Sequence, residues 1–359
     1  QARQLGLAFN AVLGVIMSLF LSLGAGTILS GVGVADALMQ PAKTYLQIVG
    51  GFCILNALIP ICSSYLRAFG FSKEPLYASI IGNVINFCLN AFFLFVLHKG
   101  VAGVATATVI SRIINLVIVV LLGAVLVKAK QHPERESNRA VMGQIIRIGL
   151  PSACETAIYN VSMTLVIRFL NQMDAQGLNV TARSYTMQIT NFSYCVGAAL
   201  AQANAIMTGW HIGAKEYDAC DRGTKKAAVI GVIVAVILET VFTLCSGWIM
   251  QLFSKDPQMV SLVGKLLAID IVLEIGRVTN LVYGQALKTS GDAVFPVVMG
   301  ACFMILCSVG GTYLFGIRLG LLAVGAYIGM TGDECVRAVG MYLRWKSGKW
   351  KEKGLVKSR

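Results

Sequence analysis

Charge is scarce in this 359-residue chain: Asp, Glu, Lys and Arg make up 13% of it, against 56% apolar residues and a mean hydropathy of +0.73. That balance excludes an ordinary water-soluble domain and reads as an integral membrane protein. Histidine is nearly absent. The three present, His98, His132 and His211, stand at segment ends in no H-E-x-x-H or other metal spacing, so no metal centre is indicated. The ten cysteines include no C-x-x-C pair, and Cys53, Cys62, Cys88, Cys154, Cys195, Cys245, Cys302, Cys307 and Cys335 lie in apolar segments, as buried free thiols rather than a disulfide framework. Neither G-x-x-x-x-G-K-[ST] nor G-x-G-x-x-G occurs, so nothing cradles a nucleotide phosphate and primary pumping by this chain is not expected. The chain begins at Gln1 with no basic n-region and no small-residue cleavage site; no signal peptide is read, and a missing N-terminus is the expectation.

What is present is one long apolar run after another, at about 5–29, 45–66, 76–97, 101–127, 149–170, 184–210, 227–253, 259–287, 293–316 and 319–343. These runs are too long for buried strands, and in lipid only helices or closed barrels satisfy the backbone polar groups. The fold class is therefore all-α: a polytopic transmembrane bundle of about ten helices. Pro75 and Pro151 are read as standing near helix starts, where a missing N–H does no harm. If the helices alternate in direction, one side of the membrane collects about 20 of the 30 Lys and Arg, including the stretch from Lys128 to Arg147 and the cluster from Arg344 to Arg359. The positive-inside rule then puts both termini in the cytoplasm of a plasma-membrane protein. The tail Lys346, Lys349, Lys351, Lys353 and Lys357 reads as a juxtamembrane segment beside anionic lipid, not as a nucleic-acid site.

An internal repeat organises the whole. Leu66-Arg67-x-x-Gly70-x4-Pro75 returns as Leu287-Lys288-x-x-Gly291-x4-Pro296, at an offset of 221, each time between a long apolar run and the next. Carried outward, the offset pairs the first four runs with the last four and leaves those at 149–170 and 184–210 without counterparts. The parent is then six plus six helices, two of which are expected in front of residue 1. Six is even, so the halves share an orientation, the parallel-repeat architecture of some secondary transporters. The expected parts are an incomplete four-helix lobe (1–128), a cytoplasmic linker (129–147), a six-helix lobe (148–345) and a basic tail (346–359).

Three ionisable residues stand inside one apolar run: Asp270, Glu274 and Arg277, at i, i+4 and i+7, share a helix face that lipid would repel. A charge at the bilayer centre costs about 2.5–3.5 kcal/mol on insertion scales, so this face is expected to meet a bundle interior or a wet cavity. It is either a functional site or a structural pair in which Glu274 and Arg277 neutralise each other. Asn83, Asn86 and Asn90 form a stripe in the run at 76–97, and Gln188, Asn191, Cys195 and Gln202 another in the run at 184–210. These stripes are open to two readings, cavity walls or interhelical hydrogen bonds. Arg112 with Asn115, and Asp333, Glu334 and Arg337, complete the in-helix polar set, the last three expected to pair near the cytoplasmic end; Glu239 has no evident partner.

At this point the chain resembles the multidrug and toxic compound extrusion (MATE) family of cation-coupled antiporters, in its bacterial branch. The resemblance is carried by Leu66-Arg67-Ala68-Phe69-Gly70, Gly82-Asn83-Val84-Ile85-Asn86, Gly149-Leu150-Pro151 with Glu155, Gln202, Gly213-Ala214-Lys215-Glu216-Tyr217-Asp218, Glu274-Ile275-Gly276-Arg277 and Asp333-Glu334-Cys335-Val336-Arg337 followed by Arg344-Trp345-Lys346-Ser347-Gly348-Lys349-Trp350. Each stretch is short, but their order runs through the whole chain, beginning at the family's third helix. The two helices before it hold an acidic residue on which many members rely for coupling. The resemblance implies a secondary antiporter, not an enzyme, that exports amphipathic, often cationic, organic compounds by alternating access, as a monomer, in exchange for H+ or Na+ and with no cofactor. It also implies a coupling role for an acidic residue in the helix that holds Glu155, four residues after Pro151 and near Thr156 and Asn160. The expected cation and substrate residues are thus Glu155, Asn160, Gln188, Asn191, Asp270, Glu274, Arg277 and Asn280, with Na+ at Glu155 or Glu274 as one option. Two other readings stay open: a flippase for lipid-linked precursors, which calls for more in-helix cations than Arg112, Arg277 and Arg337, and a non-transporting membrane scaffold.

Overall fold

The computed structural model describes residues 2–32, 36–127, 138–173 and 177–353. Among these are thirteen α-helices and no strand. The first six are α1 (Ala2–Leu23), α2 (Ala25–Val32), α3 (Asp36–Gly51), α4 (Ile54–Ala68), α5 (Lys73–Ala91) and α6 (Gly100–Leu126). Then come α7 (Asn138–Met173), α8 (Leu178–Gly213), α9 (Tyr217–Leu244), α10 (Ser246–Met250), α11 (Pro257–Thr289), α12 (Val294–Phe303) and α13 (Leu322–Lys346). Three stretches wound as π-helix, Phe92–Val96, Met304–Val309 and Thr312–Arg318, continue α5 and α12, and a 3-10 turn, Lys349–Lys353, follows α13. The expected run at 5–29 is broken at Gly24, and the run at 45–66 is a bent pair, α3 and α4, meeting at 41°.

The faces of α9 give the reason for membrane burial. Its outer stripe, Val229, Ile233, Ile237, Val241 and Leu244, is exposed although fully apolar, whereas its inner face packs Ala228, Gly231 and Ala235 and hides the carboxyl group of Glu239. An apolar outside over a small and polar inside is what lipid selects, because tails supply no drive to bury Val and small residues let helices approach. Among the described residues, five helices, and the bent α3–α4 pair as a sixth, are long and apolar enough to span a bilayer. Helices α7, α8, α11 and α13 are not among them, and they are the ones that carry the polar residues of the site described below.

The chain divides into compact units at 1–145 and 146–359, so the division falls inside α7. The expected linker at 129–147 is helical from Asn138 onward, and its residues 129–137 lie outside the described residues. Pro151, expected near a helix start, stands well inside α7. Within the first unit, Leu66 and Ala78 are fully buried against Cys62 and Val119. Two of the three asparagines in its stripe are hydrogen-bonded: Asn86 donates to the Ser111 hydroxyl (3.2 Å) and Asn90 to the Asn86 side-chain carbonyl (3.0 Å). Within the second unit one apolar cluster joins Leu266, Leu267, Leu273, Leu170 and Tyr327, and another joins Val278, Val282, Leu287 and Met341. Part of the expected tail closes this second cluster: Trp350 is buried, stacks on Trp345 at 4.1 Å and donates to the Trp345 carbonyl. Residues 354–359 lie outside the described residues.

The repeat reappears in the backbone. Gly70 and Gly291 both hold left-handed conformations, φ +90° and +94°. Each lies in the same helix-ending turn: Gly70 N–H donates to Arg67 O and Phe71 to Leu66 O, as Gly291 does to Lys288 O and Asp292 to Leu287 O. Beyond Pro296 the correspondence continues at an offset of 222. Leu97 N–H reaches Phe92 O as Leu319 reaches Leu314 O, and Lys99 reaches Phe93 O as Leu321 reaches Phe315 O. The extra residue falls where the second half winds two π segments and the first half one.

Candidate functional site

Helices α7, α8, α11, α12 and α13 of the second unit enclose a cavity of about 510 Å³. Of the expected residues, Glu155, Asn160, Asn191, Asp270, Arg277 and Asn280 line it. Glu274 does not; it is fully buried and takes no part in the lining. Gln188 is a correction: it is exposed and takes no part in the lining. The cavity face of α8 is instead Arg183, Met187, Thr190, Asn191 and Tyr194, which recurs every three or four residues. Gln188 lies one residue, or about 100°, beyond Met187, and so on the neighbouring face.

Most charges in the wall are committed to one another. Arg277 NH1 meets Glu274 Oε2 at 3.0 Å, and its Nε lies 3.7 Å from Glu334 Oε1. Glu334 Oε1 also meets Arg337 NH2 at 2.9 Å, while Arg337 holds Asp333 through two nitrogens at 2.8 and 2.9 Å. Asn280 donates to Glu334 Oε2 (3.0 Å) and the Ser308 hydroxyl to Asp333 Oδ2 (3.0 Å). A continuous ionic chain therefore ties α11 to α13. The helices can come this close because Gly276 has no side chain: a Cβ there would stand 2.8 Å from the Cys335 nitrogen and 2.9 Å from the Glu334 carbonyl carbon. Pairing of Asp333, Glu334 and Arg337 was expected, but Glu334 and Arg337 also face the cavity. Arg277 further lies over the Tyr194 ring at 5.9 Å.

Glu155 sits mid-way along α7 rather than in its first turn, so the helix N-terminus has no bearing on it. It is paired with Lys288, Nζ to Oε2 at 2.6 Å, and a Cβ on Gly300 of α12 would lie 3.4 Å from its other oxygen. Lys288 thus belongs to the site although it stood out in the sequence only as a marker of the repeat. A Na+ at Glu155 would compete with this ammonium, and one at Glu274 with the Arg277 guanidinium. Among the described residues no group of three or more His, Cys, Asp or Glu is placed to hold a metal ion. Glu239 of α9 is fully buried; neither of its oxygens has a hydrogen-bond partner among the described residues, and its neighbouring polar group is Ser193 of α8.

A helical membrane bundle that walls a polar cavity with paired charges has the architecture of a transport protein rather than an enzyme. The family model for MatE matches residues 1–92 and 151–314, and the chain belongs to this family of multidrug and toxic compound extrusion transporters. It is 33% identical over 353 residues to the uncharacterized transporter YisQ of Bacillus subtilis, covering 97% of this chain and 77% of that one. It is 22% identical over 362 residues to the probable multidrug resistance protein NorM of Thermotoga maritima, covering 94% and 76%. Among solved structures, a mutant form of the Vibrio cholerae MATE transporter VcmN shares the fold at a TM-score of 0.86 and 16% identity, over 98% of this chain and 80% of that one.

Proposed function

We propose that the protein exports amphipathic organic compounds, cationic ones among them, in exchange for H+ or Na+. The observation that carries this reading is the wall of the 510 Å³ cavity, where Glu155, Asp270 and Glu334 stand among three tyrosines, Tyr159, Tyr194 and Tyr327, and four methionines, Met187, Met304, Met330 and Met341. Tyrosine faces attract organic cations, and thioether side chains repack around ligands of differing shape. Alternating access supplies the mechanism: a ligand and the coupling ion compete for the same acids, so neither crosses back with the other bound. Both termini are assigned to the cytoplasm of the plasma membrane from the Lys and Arg bias, and a single copy is taken as the working unit.

A second reading is favoured by one observation. Four cations, Arg183, Arg277, Lys288 and Arg337, also line the cavity, more than the sequence suggested. Such a wall suits an anionic amphiphile, including a lipid-linked precursor. Reconstitution in liposomes with an imposed pH or Na+ gradient separates the two. Gradient-driven accumulation of a cationic dye, lost in Glu155→Gln while the protein remains in the membrane, supports cation export. Full dye export by that variant with unchanged ion dependence would remove Glu155 from the coupling, and transport of anionic lipid alone would favour the second reading.

A further inference from the structure

A second cavity, of about 240 Å³, opens at the end of this unit where α9 begins and α13 ends. It shares no wall residue with the larger one. The chain after α13 turns back at Gly348 (φ +71°), which lays Trp350 on Trp345 and brings Lys351 to the wall. Three ammonium groups, those of Lys225, Lys346 and Lys351, thus stand round the cavity, and none has an ion-pair partner within 4 Å among the described residues. The acid in the wall, Asp221, is engaged: its Oδ1 accepts from Trp345 Nε1 at 2.7 Å. The aromatic faces are engaged as well. Trp350 has Trp345 stacked on it and Lys351 Nζ 5.7 Å from its ring centre, while Tyr283 meets Tyr342 edge-on at 5.6 Å.

The cavity adjoins the lipid-facing surface. Lys225 stands one turn before Val229, where the exposed apolar stripe of α9 starts, and Lys346 one turn after Leu343, which with Val339 is exposed on α13. On α11, which packs against both helices, Tyr283 lies eleven residues beyond the exposed Val272, three turns on and on the same face. Three apolar faces therefore lead to one basic pocket, the arrangement that acyl chains joined to an anionic headgroup fill. We propose that this pocket holds the phosphate of an anionic phospholipid, its negative charge among Lys225, Lys346 and Lys351, with the acyl chains along α9 and α13. A zwitterionic headgroup fits less well, because Asp221 and the ring faces, the groups that draw a choline or an ammonium, are already taken. The volume is that of about eight waters, enough for a phosphate and its glycerol. A phosphate here ties α9 to the end of α13, so binding stabilises this end of the unit. The site is independent of what the larger cavity carries.

The test is lipid binding to the detergent-solubilised protein, followed by native mass spectrometry and by melting temperature, at about 0.15 M salt. The probes are dioleoyl phosphatidylglycerol, dioleoyl phosphatidylcholine and water-soluble glycerol 3-phosphate. One phosphatidylglycerol is expected to bind about tenfold more tightly than phosphatidylcholine and to raise the melting temperature. Lys225→Gln, Lys346→Gln and Lys351→Gln combined should weaken it about a hundredfold, about fivefold for each lysine. A charge-matched control, Arg222→Gln, Lys226→Gln and Lys349→Gln combined, removes three exposed cations that lie outside the pocket and should stay within about twofold of the native protein. An equal loss in the two triple variants would reduce the effect to general attraction and overturn the site, as would equal binding of the two lipids by the native protein. Displacement of the lipid by an equimolar amount of glycerol 3-phosphate would make the occupant a soluble phosphate compound and overturn the lipid. Should the pocket triple fail to fold, its three single variants, set against Arg222→Gln, Lys226→Gln and Lys349→Gln alone, carry the same comparison.

Discussion

Arg277 is held from two sides, by Glu274 on its own helix and by Glu334 on α13, and Glu274 is fully enclosed. Removing the guanidinium strands a buried carboxylate, a change that costs about 3–5 kcal/mol when a buried pair is broken. Arg277→Gln should therefore lower thermal stability strongly, Glu274→Gln less, and the double variant by clearly less than the two losses together. A double-mutant cycle on melting temperature in detergent checks this, and simple additivity would mean that the contact carries no energy. This pair was legible in the sequence, because i and i+3 on a helix must meet. Lys288 and Arg183 were not. Lys288 meets Glu155 across 133 residues of chain, a distance no periodicity reports. Arg183 sits just before the apolar run at 184–210, so hydropathy placed it in a connection, although α8 begins at Leu178 and carries it into the cavity wall.

Among the elements, the α11–α13 contact depends on the absence of a side chain at Gly276, where the nearest atoms are backbone and cannot swing aside. Gly276→Ala should force the two helices apart, cost about 1–3 kcal/mol as overpacking does, and loosen the Arg277–Glu334 contact. Gly284→Ala on the same helix meets nothing closer than 3.9 Å and should be neutral or stabilising by up to about 1 kcal/mol, since glycine weakens a helix interior. Melting temperatures of the two variants, side by side, decide whether close approach or helix propensity governs α11. The number of apolar elements could be read from hydropathy, but their starts could not. Helix α7 begins at Asn138, eleven residues before the apolar run, because Arg139, Gln144 and Arg147 form helix as readily as apolar residues do and merely lower the hydropathy. Breaks at Gly24 and at the α3–α4 bend were hidden for the converse reason: the run stays apolar while the axis turns.

Taken whole, the molecule separates two tasks between sets of helices. Those most apolar, α1, α5, α6 and α9, and the stretch from Val294 to Arg318, pass as membrane spans. Helices α7, α8, α11 and α13 carry most of the cavity wall and are too polar to pass. The sequence therefore showed the spans by their hydropathy and six of the cavity residues by their polarity, while Arg183, Lys288 and the exact face of α8 had to come from the packing. The stripe at Gln188 shows why. Polar residues at helical spacing mark a face, but neighbouring faces differ by one residue, and only the packing of α8 against α11 selects Thr190 and Tyr194 over Gln188 and Gln202 for the interior.

The surplus residue between the two halves bears on how this chain can change length. A wide turn takes up one more residue than an ordinary one, so it can also give one back by tightening. Removing Leu306, an exposed residue of the Met304–Val309 segment, should convert that turn to α-helix and leave α13 in place, restoring the spacing of the first half. Removing Thr331 from α13, where no wide turn is available, should rotate Asp333, Glu334 and Arg337 by about 100° and pull them off the cavity. Size-exclusion profiles and melting temperatures of the two single deletions would show it: the first close to the native protein, the second aggregated or unfolded. Length variation among related chains should then gather at the wide turns, where an insertion or loss leaves the transport machinery in register.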